Sequence, residues 1–197
     1  PQIILDEKFH IGFLGNIQTP RRYIKELFIE PLKDLERVKL DIHPTSWYKH
    51  TRVDEIELMG GQTTIDNIIE GDKWEVGLPN LYNKMDIYIR TDIDPGAQLS
   101  LGEAAACGVP VISCDPGIGK EIAEAGGGYY VDAKDRNLER IAKQIREHVF
   151  FLIHNPKIIE KMGSRARDFI VDNYTWDKHI SAWREFFREG LRKAKDV

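Results

Sequence analysis

The chain has 197 residues, 42% of them hydrophobic, and a formal net charge of −4, values typical of a soluble globular domain with a substantial core. Its lysines and arginines are scattered and form no basic stripe with interleaved aromatic residues, which argues against nucleic acid as a partner. Nothing resembles a signal peptide, and no apolar run approaches the roughly 20 residues that span a bilayer.

The chain opens with a predicted strand, turn and helix. Residues Phe9 to Gly15 form an apolar run, and apolar residues recur at helical spacing in the segment that follows. Thr19 before Pro20 suits a helix N-cap, which puts Arg21 and Arg22 in the first turn. A helix N-terminus with an adjacent arginine is suited to bind phosphate. The alternative is that both arginines are solvated surface residues.

The middle of the chain is less regular. Val38 to His43 alternates like a strand, and residues 44–71 give only weak signals for a strand, a turn and a short helix or strand. We predict a short strand at Trp74 to Val76, a short helix from Gly77 to Met85, and a buried strand from Asp86 to Thr91.

Residues 91–115 predict a loop, a short helix of small residues and a buried strand. Glu103 stands out in this helix, because its neighbours three and four positions away are small or apolar and include no lysine or arginine. Its carboxylate therefore needs hydrogen-bond donors from elsewhere in the fold or from a ligand, and the vicinal diol of a ribose offers two. Gly102 beside it suggests close approach of a backbone or a ligand. The alternative is a structural glutamate paired with a distant arginine or a backbone amide.

The rest of the chain predicts a strand from Val109 to Cys114, a glycine turn with a short helix starting at Lys120, a strand within residues 126–132, and helices from Asn137 onward. Two cysteines, Cys107 and Cys114, fall in apolar surroundings. This favours a reducing, cytoplasmic location and argues against a zinc site.

Apolar strands that alternate with helices predict an α/β fold, a Rossmann-like open parallel sheet with helices on both faces. Such sheets bind ligands at the carboxyl ends of their strands. Four loops are therefore candidates for the site: residues 15–22, 76–80, 91–99 and 115–121.

Three segments in order carry a resemblance to a known family: GLPNLYNKMDIYIRTD at 77–92, LGEAAACGVPVISCDPGIGKEI at 101–122, and YTW at 174–176. Together they resemble the C-terminal, donor-binding domain of a GT-B glycosyltransferase of the large retaining family 4, over nearly the full chain. In that family two glutamates separated by seven residues contact the donor. Glu103 matches the one at the ribose, whereas Pro95 stands at the sugar-contacting one. The resemblance makes Asp94, next to this gap, the candidate catalytic residue.

The resemblance also implies a set of donor contacts. At the phosphate end, Asn16 stands where the family has arginine and Arg21 stands at its lysine, with Lys120 as a second source of positive charge. Base contacts in the family run through backbone near Val76. The implied donor-binding residues are Gly15, Asn16, Arg21, Val76, Gly96, Ala97, Gln98, Leu99, Glu103 and Lys120.

The implied activity is a metal-independent, retaining transfer of a sugar from a nucleotide-diphosphate sugar to a glycan, lipid or other small-molecule acceptor, without a cofactor. A metal reading rests on Asp92-Ile93-Asp94, since acidic pairs of this kind bind a cation in transferases of the other major fold. A second hypothesis is a nucleotide-sugar-binding or interaction domain without turnover. A dinucleotide-dependent oxidoreductase is poorly supported, because GFLGNI lacks the full glycine fingerprint.

We expect a donor-binding domain at residues 1–175 and a C-terminal helix at 176–197 whose apolar stripe either packs on the core or crosses to an N-terminal GT-B domain, supplied in cis or in trans. The first residue is Pro1, which leaves open that the sequence is a segment of a longer chain. Contact with a membrane is also left open.

Overall fold

The computed structural model of the chain describes residues 8–15, 23–44, 74–94 and 99–195. Five strands form one sheet in the order β2-β1-β3-β4-β5, and all neighbouring strands are parallel. The predicted Rossmann-like open parallel sheet is therefore confirmed. The strands are β1 (Phe9–Gly15), β2 (Val38–Pro44), β3 (Ile87–Arg90), β4 (Val111–Ser113) and β5 (Gly128–Tyr130).

Helices connect the strands and continue to the end of the chain. They are α1 (Lys25–Ile29, π-helical), α2 (Trp74–Tyr82), α3 (Leu99–Ala106), α4 (Ile118–Glu124), α5 (Leu138–Ile153), α6 (Pro156–Asn173) and α7 (Trp176–Lys195). Asn137 caps α5 by accepting a hydrogen bond from the backbone N–H of Arg140, and Pro156 occupies the first position of α6, where it requires no N–H partner.

Helices cover both faces of the sheet. Successive residues of a strand point to opposite faces, so neighbouring residues pack in different cores. Ile87 and Ile89 pack in the core that contains buried residues of α1 and α5. Tyr88 and Val111 pack in the second core, with buried residues of α2, α3 and α6. Both faces are buried, which explains why the strands carry near-continuous apolar runs.

The structure corrects one predicted element, since residues 74–76 belong to α2 and do not form a strand. Tryptophan and valine favour strands in isolation, but tertiary packing overrides this propensity. The far end of α2 is anchored by Leu81 and Tyr82, which are 4% and 1% exposed. The predicted loop at residues 76–80 is consequently helical, with Pro79 inside it.

Helix α3, which carries Glu103, is fixed at its end by close packing on α6. A Cβ atom placed on Gly163 of α6 would lie 2.0 Å from the carbonyl oxygen of Gly108, so only glycine fits there. Gly108 itself ends the α3 turn with a φ of 79°, a conformation that favours glycine.

The predictions for residues 45–73 and for the helix start at Thr19 lie outside the described residues.

Candidate functional site

The carboxyl ends of β1, β3 and β4 meet at one edge of the sheet, because these strands are parallel neighbours. Gly15 ends β1 with a φ of 155°, which is accessible to glycine and rare for other residues. Arg90 ends β3, and Ser113 ends β4. Open α/β sheets bind ligands at this edge, and the predicted candidate loops follow strand ends.

Arg90 ties this edge together. Its side chain is buried, and Nη1 donates to the carbonyl oxygen of Leu14 at 2.6 Å and to the hydroxyl of Ser100 at 3.4 Å. Nε forms an ion pair with the carboxylate of Asp92, and the guanidinium lies 5.6 Å from the centre of the Phe13 ring. One side chain thus links the end of β1, the loop after β3 and the first turn of α3.

Glu103 lies in the second turn of α3 and is half-buried. Its Oε2 accepts a hydrogen bond from the hydroxyl of Tyr82 at 2.8 Å. Among the described residues, no hydrogen bond or ion pair reaches Oε1. The structural alternative expected an arginine or a backbone amide as the partner; the partner is instead a tyrosine at the end of α2.

The Tyr82 hydroxyl is an obligatory donor. Burial of the ring raises the pKa of Tyr82, and the nearby Tyr88 and Glu103 raise it further, so the hydroxyl keeps its proton throughout the physiological range. The rings of Tyr82 and Tyr88 pack edge to face with centroids 5.7 Å apart. Tyr88 in turn donates to the carbonyl oxygen of Leu14 at 3.1 Å, so both rings are fixed.

Asp94 follows β3 and forms an ion pair with Arg136, with Oδ1 and Nη2 2.5 Å apart. The side chain of Asp94 is 29% exposed and that of Arg136 is 60% exposed, so solvent reaches the pair. The two acids of the Asp92-Ile93-Asp94 segment therefore each contact a different arginine. Within the described ranges, no cluster of three or more histidine, cysteine, aspartate or glutamate side chains is arranged to hold a metal ion.

The remaining predicted contacts have differing surroundings. Lys120 is half-exposed and pairs with Glu124 one helical turn later, with Nζ and Oε1 3.6 Å apart. Leu99, the first residue of α3, is 75% exposed, which leaves an apolar side chain open to solvent. Val76 lies in α2. The other predicted contacts lie outside the described residues: Asn16, Arg21, Gly96, Ala97 and Gln98.

Three residues near this edge were not among the predicted contacts: Arg90, Tyr82 and Asp115. Asp115 follows β4 and is 1% exposed; its Oδ2 accepts from the backbone N–H of Gly119 at 3.2 Å. Its Oδ1 is buried and has no hydrogen-bond partner in the part of the chain that the structure describes. A charged residue in an apolar run was the available signal for Arg90, whereas nothing local pointed to Tyr82.

None of the described helices has the length and apolar character needed to cross a membrane. The two cysteines are free, and burial raises the pKa of the Cys114 thiol to about 12, so this thiol is unreactive at neutral pH.

Several solved structures share this fold. The C-terminal domain of the group 1 glycosyltransferase LpcC from Francisella tularensis is 22% identical with a TM-score of 0.63, over 86% of this chain and 88% of that one. Sucrose-phosphate synthase from Thermosynechococcus elongatus is 13% identical with a TM-score of 0.74, over 95% of this chain and 47% of that one. HepE from Anabaena, solved in complex with UDP, is 16% identical with a TM-score of 0.69, over 93% and 49%.

These likenesses show that the chain has the fold of the C-terminal domain of GT-B glycosyltransferases. The chain spans just under half the length of sucrose-phosphate synthase and of HepE. No curated protein sequence matches the chain. A family model for glycosyl transferases group 1 matches residues 8–149, well over half of the chain, and the protein therefore belongs to the group 1 glycosyltransferases.

Proposed function

We propose that the chain binds a nucleotide-diphosphate sugar at the carboxyl edge of its sheet and forms the donor half of a retaining, metal-independent glycosyltransferase. One observation carries the proposal: Glu103 holds one carboxylate oxygen on Tyr82 and has no described partner for the other, beside the edge where this fold binds ligands. A carboxylate oxygen without a partner among the described residues can accept a hydrogen bond from a ribose hydroxyl. The complexes of HepE with UDP and with UDP-glucose support a nucleotide-sugar donor.

The proposed chemistry needs little from the protein besides charge and position. Negative charge builds on the leaving diphosphate as the glycosidic bond breaks, and the acceptor hydroxyl must lie close to the sugar carbon. Arg21 and Lys120 are the proposed cations for the diphosphate, and the backbone after Gly15 is the proposed phosphate loop. No metal and no cofactor are required for this transfer.

Asp94 is proposed to contact the sugar in place of the family glutamate that Pro95 replaces. It lies four residues after the end of β3, and its pair with Arg136 is open to solvent, where a sugar hydroxyl can compete for the carboxylate. A weak surface ion pair of this kind is easily exchanged for a ligand contact.

A partner domain completes the proposed enzyme. The apolar residues of α7 are exposed over its whole length: Trp176 at 79%, Ile180 at 42%, Trp183 at 52%, Phe186 at 66%, Phe187 at 60% and Leu191 at 66%. An apolar helix face this large is a signature of an interface. The chain spans under half of the length of several structures with its fold. We therefore propose that an N-terminal GT-B domain, in cis or in trans, covers the apolar face of α7. That domain would bind the acceptor, a glycan, lipid or other small molecule.

The second candidate function is a nucleotide-sugar-binding domain without turnover. It is favoured by the Pro95 replacement and by the engagement of Asp94 with Arg136. Both candidates predict nucleotide binding, and only the first predicts transfer.

Calorimetric titration of the whole chain with UDP, GDP and ADP tests both candidates. We expect one diphosphate to bind, and Glu103→Gln to weaken that binding by about tenfold, the effect of losing hydrogen bonds to a charged group. A donor-hydrolysis assay with the matching nucleotide sugar then separates them. Absence of binding by all three diphosphates would defeat both candidates.

A further inference from the structure

The hydrogen bond between Tyr82 and Glu103 joins helices α2 and α3. Tyr82 is the last residue of α2, and Glu103 lies in the second turn of α3, 21 residues later in the chain. The Tyr82 side chain is 1% exposed, so its hydroxyl cannot turn to bulk water for an acceptor. The bond therefore fixes the rotamer of Glu103 from the buried side.

We propose that Tyr82 is a positioning residue that selects for ribose: its hydroxyl holds Oε2 of Glu103 and thereby directs Oε1 to the ribose diol. This inference rests on the proposed function of Glu103. A free glutamate side chain has several rotamers, and ordering it on binding costs conformational entropy. A glutamate that is already held by one oxygen does not pay this cost when the ligand arrives.

The surroundings of Tyr82 make it a rigid support. Its ring packs edge to face on Tyr88, and the Tyr88 hydroxyl is held by the carbonyl oxygen of Leu14 at the end of β1. Arg90 donates to the same carbonyl oxygen. A continuous set of fixed groups thus runs from the phosphate-side end of β1 to the carboxylate of Glu103.

The two oxygens of the Glu103 carboxylate have different partners in this proposal, and this difference sets the ligand specificity that we expect. With Oε2 occupied by Tyr82, the remaining oxygen has two lone-pair directions, enough for the two hydroxyls of one ribose. A ligand without these hydroxyls would leave a half-buried charged oxygen without a partner, and sites of this kind reject such ligands strongly.

The test compares two ligands on wild type and variants of the whole chain: the diphosphate that binds best among UDP, GDP and ADP, and its 2′,3′-dideoxy analogue. Wild type should bind the ribose form at least about tenfold more tightly than the analogue. In Tyr82→Phe the affinity for the ribose form should fall about three- to tenfold while the affinity for the analogue stays unchanged, so that the discrimination shrinks by the same factor. A merely structural role would lower both affinities together.

Tyr174 supplies a matched control, because its hydroxyl also donates to a glutamate, Glu121, but at a solvent-exposed position between α4 and the end of α6. Tyr174→Phe should leave both affinities unchanged. Glu103→Asp is a second variant that keeps the charge but shortens the side chain, so it too should reduce the discrimination even where Tyr82→Phe does not fold.

The outcomes separate the two levels of the proposal. If Glu103→Gln leaves the discrimination unchanged, Glu103 is not the ribose ligand and the proposed function of this residue fails. If Glu103→Gln removes the discrimination but Tyr82→Phe or Glu103→Asp retains it in full, Glu103 binds ribose without positioning by Tyr82, and only this inference is overturned.

Discussion

Arg90 and Leu14 connect the ends of two adjacent strands: Nη1 of the buried arginine donates to the Leu14 carbonyl oxygen at 2.6 Å. A backbone carbonyl at the end of a strand has no ladder partner beyond it, and the arginine supplies one. The same guanidinium is paired with Asp92, so the charge is compensated within the core. This arrangement fixes the base of the loop that follows β1, where we propose that the diphosphate binds.

Replacing Arg90 should therefore destabilise the domain strongly. Arg90→Met leaves the carboxylate of Asp92 buried without its arginine, which costs about 3–5 kcal/mol in comparable sites. We expect the urea midpoint of unfolding to fall accordingly. Lys193→Met is the control, because it removes an exposed ion pair with Glu189 and should change the free energy of unfolding by less than about 0.5 kcal/mol. Equal effects of the two substitutions would contradict this role of Arg90.

Gly102→Ala should separate stability from binding. The nearest described atom to a Cβ at Gly102 is Cδ1 of Ile118 at 3.4 Å, an ordinary contact, so the methyl group fits the folded domain. Alanine should stabilise the helix by up to about 1 kcal/mol. If the donor approaches the α3 backbone beside Glu103, the same methyl group should weaken nucleotide-diphosphate binding about tenfold.

The control for Gly102→Ala is Gly190→Ala in α7, where nothing lies within 4 Å of the added Cβ. It should leave the dissociation constant unchanged. A Gly102→Ala variant with wild-type affinity would show that no ligand comes close to this turn of α3.

Asp94→Asn tests the proposed sugar contact. The substitution should weaken binding of the nucleotide sugar but not of the nucleotide diphosphate alone, since only the former carries the hydroxyls that Asp94 would accept from. Arg136→Met removes the competing cation and should not weaken binding of either ligand. If Asp94→Asn leaves nucleotide-sugar affinity and turnover unchanged, the role of Asp94 reduces to its pair with Arg136.

The stability of the domain should fall in mild acid because of two histidines, of which His43 is buried and His148 is half-buried. Burial lowers the pKa of His43 and of His148. The His148 ring stacks on the ring of Tyr129, with the two centroids 4.0 Å apart. The unfolded chain, with histidine pKa values of about 6.5, binds more protons than the folded one below that pH. The stability that depends on these two histidines being neutral is therefore fully present above about pH 6.5. The free energy of unfolding declines as the pH falls through that value.

Urea unfolding at pH 7.5 and pH 5.5 measures this decline, since pH 5.5 lies above the range in which most carboxylates titrate. The free energy of unfolding should be smaller at pH 5.5, and His43→Asn with His148→Asn should reduce the difference between the two pH values. An equal or larger free energy at pH 5.5 in the wild type would contradict the prediction.

Strands β3 and β4 were predictable because they are buried along their whole length and lie in apolar runs, and β1 matches its predicted bounds at both ends. The prediction for residues 74–76 was wrong because tertiary contacts at the far end of α2 outweigh local strand propensity. Glu103 could be proposed as a site residue from its small neighbours, but its partner Tyr82 could not be predicted, since no helical or strand periodicity links residues that lie 21 positions apart on different helices. The pair between Asp94 and Arg136, 42 positions apart, was hidden for the same reason.

A crystal structure of the chain with the diphosphate that binds best among UDP, GDP and ADP tests the central claim most directly. The account predicts that ribose hydroxyls lie within about 3.2 Å of Oε1 of Glu103 while the Tyr82 hydroxyl still donates to Oε2. A nucleotide bound with its ribose away from α3, or a Glu103 carboxylate that contacts only protein groups in the complex, would contradict it.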